Sequence, residues 1–269
     1  MADNHIARGQ FRWWLAVVLL TILTLTFIGM GRWQLSRADE RRAVAQQIEQ
    51  GRRAEPKVLN SQNASHGFKP WQAATASGQW LPQYSVLLDN RSQEGKPGLW
   101  LVMPLRLDDG AVLPVVRGWL PRPLGSEPVS LHFHALNENQ RVVGEIADHI
   151  PRLYELQEDG EVRFVAPTEQ SNGTWAIDVR SMPWRQNLSH DQLSVAIGEP
   201  VLPVVLMQTG EDDGVTFQGM PLVRQWPEPS IDADKNIGYA MQWFLFATIA
   251  FGALVALLWR LLRREKISS

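Results

Sequence analysis

Two clusters of aromatic and polar side chains stand beside long charge-free runs in this 269-residue chain. Arg32-Trp33-Gln34-Leu35 follows the first run, and Tyr239-Ala240-Met241-Gln242-Trp243-Phe244 opens the second. Helical spacing puts Met30, Trp33, Gln34 and Arg37 on one face, and Asn236, Tyr239, Ala240 and Trp243 on another. Held at one depth, two such faces would line a cleft with rings and amides, suited to a flat apolar guest with polar edges or to a helix of another membrane protein. The plainer reading is an aromatic belt at a membrane surface with snorkelling arginines.

Other chemistry is poorly represented. The chain has no G-x-S-x-G, no H-E-x-x-H and no P-loop, since Gly95-Lys96 lacks the upstream glycine. Absence of cysteine removes thiol catalysis, thiolate metal sites and disulfides together. His132-x-His134 would put two imidazoles on one strand face, which is a metal site only if a third ligand approaches. In Gly210-Glu211-Asp212-Asp213-Gly214 the acidic residues are consecutive and no glutamate closes a calcium loop, so a solvated turn is expected. Net charge is -2 and no basic block is present, which argues against nucleic acid as a partner. A membrane-bound hydrolase or transferase is disfavoured by the same missing motifs.

The elements that must position these residues begin with the two runs. Residues 13–31 and 237–259 are free of charge, and each approaches or exceeds the roughly 20 residues that cross a bilayer core. The first is longer than the apolar part of a signal peptide and no small-x-small site follows it, so it is expected to be retained. Arg260, Arg263, Arg264 and Lys266 follow the second run, whereas Asp232 and Asp234 precede it, a cytoplasmic flank by the positive-inside rule. Both termini are therefore expected inside a bacterial inner membrane. The arginines after the first run, from Arg32 to Arg53, pull that helix the other way. The expected organisation is a cytoplasmic start at 1–12, a span at 13–31, an outer helix and linker at 32–66, and a periplasmic β-rich domain at 67–230. A connector at 231–236, a span at 237–259 and a basic tail at 260–269 complete it.

About 180 residues between the spans suffice for one domain with its own core. Short β-like segments are expected at 84–88, 99–107, 111–119, 129–133, 141–146, 175–179 and 201–207. Asp108-Asp109-Gly110 should turn a hairpin, because Asp-Gly readily supplies positive φ. Pro104 and Pro114 lack ladder donors and should push their strands toward an edge or a bulge. Ser189 with Gln192 forms a capping box, so a helix should start there. The first span should continue outward as a helix and break at Gly51, with 55–66 a linker. The fold class is α+β, two transmembrane helices flanking one mainly antiparallel β outer domain.

Three segments carry a resemblance: Gly31-Arg32-Trp33-Gln34-Leu35-x-Arg37, Val116-Arg117-Gly118-Trp119-Leu120-Pro121 and Gly238-Tyr239-Ala240-Met241-Gln242-Trp243-Phe244. Their order, spacing and two-span setting resemble the surfeit locus protein 1 family over nearly the whole chain. The resemblance implies a cytochrome c oxidase assembly factor or chaperone, not an enzyme, that assists haem a insertion into the catalytic subunit or assembly of that subunit. Subunit I, haem-synthesis or assembly proteins and membrane lipid are the implied partners. Tyr239, Gln242, Trp243, Trp33 and Arg117 are the implied haem contacts, and Gln34, Arg37, Gly118, Trp119 and Asn236 the implied interaction residues. Many members carry histidine where this chain has Asn236, and an amide is a poor ligand for haem iron. None of the six histidines lies in either span. Haem a is accordingly expected to bind weakly or transiently. On the residues alone, Arg117 reads as a strand-end arginine that caps a carboxylate or snorkels, and Gly118 as a bulge or close approach with Trp119 packed beneath. The competing class is a membrane-anchored scaffold of another envelope complex without haem.

Overall fold

The computed structural model describes the chain except residues 1–2, 64–66, 126, 135, 137, 155–161, 172, 211–213 and 269. Contacts divide it into two units, a helical one of residues 1–46 with 229–269 and a β-rich one of residues 47–228.

Helix α1 runs from Asp3 to Arg53 and α3, the last helix, from Asp234 to Ser268. Both are long and apolar enough to cross a membrane, and only 11% and 17% of their most apolar stretches are buried. A core helix of a soluble protein would be mostly buried, so the pair suggests membrane anchoring. The break expected at Gly51 comes two residues later, after Arg53. The helix passes through Gly51, and a Cβ there would overlap the carbonyl of Pro70, so the glycine admits a close backbone approach.

The β-rich unit starts with β1 (Lys57–Val58), inside the stretch expected to be linker, and β2 (Ala73–Trp80). There follow β3 (Val86–Gln93), β4 (Lys96–Leu107), β5 (Val112–Pro121), β6 (Ser130–Phe133) and β7 (Gln140–Ala147). Next come β8 (Thr168–Glu169), β9 (Trp175–Asp178), β10 (Trp184–Arg185) and helix α2 (His190–Ile197). The last strands are β11 (Val205–Gln208), β12 (Val215–Phe217) and β13 (Met220–Pro221).

The larger sheet has the order β1-β2-β7-β11-β5-β4-β3-β10. Its pairings β1–β2, β10–β3 and β11–β5 are parallel, so the sheet is mixed instead of purely antiparallel. Parallel neighbours arise where a long connection brings a strand back beside an earlier one, which short-range hairpin signals do not report. β2 pairs with β7 through Ala73–Gly78 and with β4 through Gly78–Trp80. Strands β2, β7, β11, β5 and β4 therefore close on one another. The closing strand is lined inward by Ala74, Ala76 and Gly78, small residues that let the backbones meet; a Cβ on Gly78 would overlap the carbonyl of Arg106. A five-stranded sheet of order β13-β12-β6-β9-β8 adds Leu131, Phe133, Ile177, Val215 and Phe217 to the same apolar cluster as Leu101, Met103, Leu113 and Leu206. A second cluster, around Val86, Leu88, Trp100, Val116 and Trp119, lies on the opposite strand face, and α2 inserts Leu193 there.

Three local expectations can be read directly against these elements. The β4–β5 hairpin turns at Asp108-Asp109-Gly110, with Gly110 at φ 89°. Helix α2 starts with the capping box: the Gln192 amide N–H donates to Ser189 Oγ at 3.1 Å and the Ser189 N–H to Gln192 Oε1 at 2.9 Å. The two prolines, expected to push their strands toward an edge or a bulge, lie in interior strands directly opposite each other, two positions past the bulge between Leu101 and Val102. Two facing prolines have no N–H to exchange and fit a non-hydrogen-bonded pair. Pro104 also sits where the other neighbour of β4 changes from β3, last paired at Val102, to β2, first paired at Leu105, so its missing donor is not needed.

Candidate functional site: the helix seam and the bulged arginine

Within the helical unit α1 and α3 are antiparallel neighbours. Buried or half-buried positions on α1 recur at Thr24, Phe27, Gly31, Gln34, Ala38 and Arg41, and at Ala233, just before α3, and Ile237, Ala240, Phe244 and Ala247 on it. These are alternating steps of three and four, the spacing of a left-handed helix seam. Small residues dominate it: Ala38 is 0% exposed and Ala240 1%. A Cβ on Gly31 would lie 2.7 Å from the Phe244 ring, so only glycine lets that ring in. One turn inward, Phe27 stacks on Trp243 with centroids 5.8 Å apart and contacts Phe246 at 5.8 Å. One turn outward, Asn236 Nδ2 donates to Gln34 Oε1 at 2.8 Å, and Arg41 Nη1 donates to the Asp232 carbonyl at 2.7 Å.

This arrangement brings Gln34 and Asn236 together, puts Trp243 on the same seam about two turns away against Phe27, and leaves the other expected residues elsewhere. Trp33 is 55% and Tyr239 54% exposed, on the flanks of the seam. Gln242 is exposed, and Arg37 pairs with Glu40 on its own helix at 2.6 Å. The two amides that were to line an open cleft bind each other. A haem fits this pair poorly at the axial position, because the side chain at 236 is a carboxamide whose N–H is already given to Gln34. Phe27 and Gly31 were missed as seam residues; the three-and-four spacing of Thr24, Phe27, Gly31, Gln34 and Ala38 would have found them.

In the β-rich unit, Arg117 is the extra residue of a bulge. Leu101 pairs with Gly118 and Val102 with Val116, which leaves Arg117 between them without a cross-strand partner position. The bulge turns its side chain inward. Arg117 is 1% exposed, its guanidinium lies 4.0 Å from the centre of the Trp80 ring, and Nη1 is 3.4 Å from Met103 Sδ. Snorkelling is thereby excluded: a strand-end arginine reaches water, and this one is packed against the core. Gly118 is both a bulge neighbour and a close approach, for a Cβ there would lie 2.5 Å from Leu222 Cβ. Trp119 packs on the other face, donating Nε1–H to the Arg91 carbonyl at 2.8 Å.

That carbonyl belongs to a second buried arginine that sequence reasoning passed over. Arg91 is 5% exposed, its guanidinium lies 4.6 Å from the centre of the Trp100 ring, and Nη2 donates to the Gln186 carbonyl at 2.9 Å. Burial lowers its pKa to about 10, so it stays charged at neutral pH. Two arginine–tryptophan stacks thus lie on opposite faces of the central strands. Of the histidine pair, His134 holds the Gly214 carbonyl through Nδ1 at 2.9 Å, and no group of three metal-ligating side chains occurs among the described residues. The acidic stretch 211–213 lies outside the described residues.

A cleft of about 250 Å³ in this unit is lined by Trp80, Pro82, Gln83, Leu136, Pro167 and Trp175 among others. Trp80 therefore has the Arg117 stack on one side and this cleft beside it.

Comparison with known proteins agrees with the sequence motifs. An uncharacterized SURF1-like protein of Mycobacterium tuberculosis is 30% identical over 116 residues, 42% of this chain and 43% of that protein. A SURF1-like protein of Rickettsia felis is 32% identical over 105 residues, 38% of this chain and 44% of the relative. The chain thus spans less than half the length of these relatives in the matched region. A SURF1-like protein of Monosiga brevicollis is 23% identical over 96% of this chain and 90% of its own length. The profile of the SURF1 family matches residues 21–248, which takes in part of each long helix and the whole β-rich unit, and the chain belongs to that family.

Proposed function

We propose that this protein is an assembly factor for cytochrome c oxidase that acts as a membrane-anchored scaffold on the catalytic subunit and not as a histidine-ligated haem carrier. The observation that carries the reading is the Gln34–Asn236 bond, which uses the position where a haem ligand would be sought to tie two helices together. Family membership supports the link to oxidase assembly, and the two apolar helices support action at a membrane. The anchored unit belongs in a bacterial inner membrane with the β-rich unit in the periplasm. Subunit I and the haem-synthesis or assembly proteins are its partners. Haem a meets the protein only through transient contacts with Trp33, Tyr239, Gln242 or Trp243.

Two measurements test this together. A strain lacking the gene should lose most oxidase activity, recovered by the intact gene. Detergent-purified wild-type protein should carry far less than one haem per chain, with no spectrum of imidazole-ligated iron. Stoichiometric histidine-ligated haem in the wild type would sink the scaffold reading, and undiminished oxidase activity in the deletion strain would sink the oxidase reading.

A further inference from the structure

The charge-free run of α3 contains a single carboxamide, Gln242, and that of α1 contains none. Several nearby polar groups are satisfied within the helix pair. Thr21, Thr24 and Thr248 donate to carbonyls one turn back at 2.8, 2.7 and 2.9 Å, and Gln34 and Asn236 bind each other. Gln242 is exposed, and no described residue hydrogen-bonds its amide. It lies two residues from Ala240, which is in the middle of the seam, so it stands about 200° round the helix and faces away from α1.

Its depth follows from its neighbours. Trp243 stacks on Phe27 and Phe244 meets Gly31, which places Gln242 beside the charge-free part of α1, inward of Arg32. Hydrocarbon offers an amide no partner, so a side chain of this kind at that depth is ordinarily paired with protein. One turn earlier on the same face is Gly238, where a Cβ would meet nothing within 4 Å. Glycine weakens a helix relative to alanine, and here no contact with a described residue requires it. A second helix lying against this face accounts for both: Gly238 lets it approach, and its own polar group completes the amide of Gln242.

We propose that the face of α3 through Gly238, Gln242, Leu245 and Ile249 docks a transmembrane helix of the membrane protein under assembly, one that offers an amide or hydroxyl side chain to Gln242. The choice of client rests on the assembly reading above; the existence of the docking face does not. Leu245 and Ile249, 58% and 62% exposed, supply the apolar remainder of the contact. One hydrogen bond and a narrow apolar strip make a contact that can be released, as a factor that leaves the finished enzyme requires.

Photo-crosslinking in living cells tests it. Ile249→p-benzoylphenylalanine puts a reactive group on the proposed face, and Met241→p-benzoylphenylalanine puts one on an exposed position about 100° from Gln242. The expected result is an adduct with the oxidase catalytic subunit from position 249 and not from 241. Adding Gln242→Leu should reduce that adduct by about fivefold or more while the protein stays in the membrane. Equal adducts from the two positions, an adduct indifferent to Gln242→Leu, or an adduct only with a second copy of this chain would each overturn the proposal. If deletion of the gene abolishes oxidase activity yet no Gln242-dependent adduct forms, the docking face fails and the assembly reading stands. If deletion leaves oxidase activity intact, the choice of client fails whatever the adducts.

Discussion

Arg117 and Trp33 both fall in segments that carry the resemblance to the family, yet the structure puts them in opposite physical situations. Arg117 is inside the core, stacked on Trp80, so Arg117→Ala removes a large buried side chain and should cost about 2–5 kcal/mol of stability. Trp33 projects from α1 with more than half its surface free, so Trp33→Ala should leave stability within about 0.5 kcal/mol. Both should lower mature oxidase activity, but by different routes. Thermal unfolding of the purified proteins and their abundance in membranes separate the two: Arg117→Ala should be scarcer and melt earlier, Trp33→Ala should match wild type in both. An Arg117→Ala protein as stable as wild type would mean that its stack on Trp80 contributes little and that its role lies elsewhere.

Helix α2 shows how an element can be legible in sequence and still hold a property that only packing creates. Its capping box and its C-terminal Gly198 at φ 79° follow from local residue types. The environment of His190, its first residue, does not. Burial lowers the imidazole pKa; the Val204 carbonyl and Asp191 oppose that shift, and His149 adds to it. The folded state therefore holds this ring neutral, while the unfolded chain takes up a proton near the ordinary histidine pKa of about 6.5. Stability from this group is fully present above that value and is lost as pH falls through the lower, folded pKa. The melting temperature should drop between pH 7.5 and pH 5.5, and the drop should shrink in His190→Gln. An unchanged pH dependence in that variant would show that other groups govern it.

For the whole molecule, the strongest expectation concerns direction across the membrane. The basic residues near the end of α3 against Asp232 just before it and Asp234 at its start argue for both termini inside, and the arginines following the first apolar run argue the other way. Fusions settle which wins: a cytoplasm-active reporter after Lys266 should be active, and a periplasm-active reporter within residues 60–225 should be active as well. A reporter after Lys266 that works only in the periplasm would reverse the orientation and with it the side on which the β-rich unit meets its partner.

Several features were determined by the chain itself. Charge-free length defined the two apolar helices, Asp-Gly chemistry defined the β4–β5 turn, and the Ser189–Gln192 pair defined the start of α2, because each depends on residues a few positions apart. The three motifs likewise carried the family. Long-range pairing was decided only by the tertiary structure. Strand β2 escaped notice because its inward residues are alanine and glycine, chosen to let the ring of strands close and too small to give an apolar alternation. Pro104 and Pro114 point to an edge or a bulge one at a time, but as a facing pair close to a bulge, where the other neighbour of β4 changes from β3 to β2, they sit in interior strands. Arg117 reads as a surface cation until one extra residue in β5 turns it inward, and Gln34 and Asn236 read as two walls of a cleft until the seam brings them to 2.8 Å. In each case the residue type was plain from the start, and which side of the backbone it faced, and what stood there, depended on a segment far away in sequence.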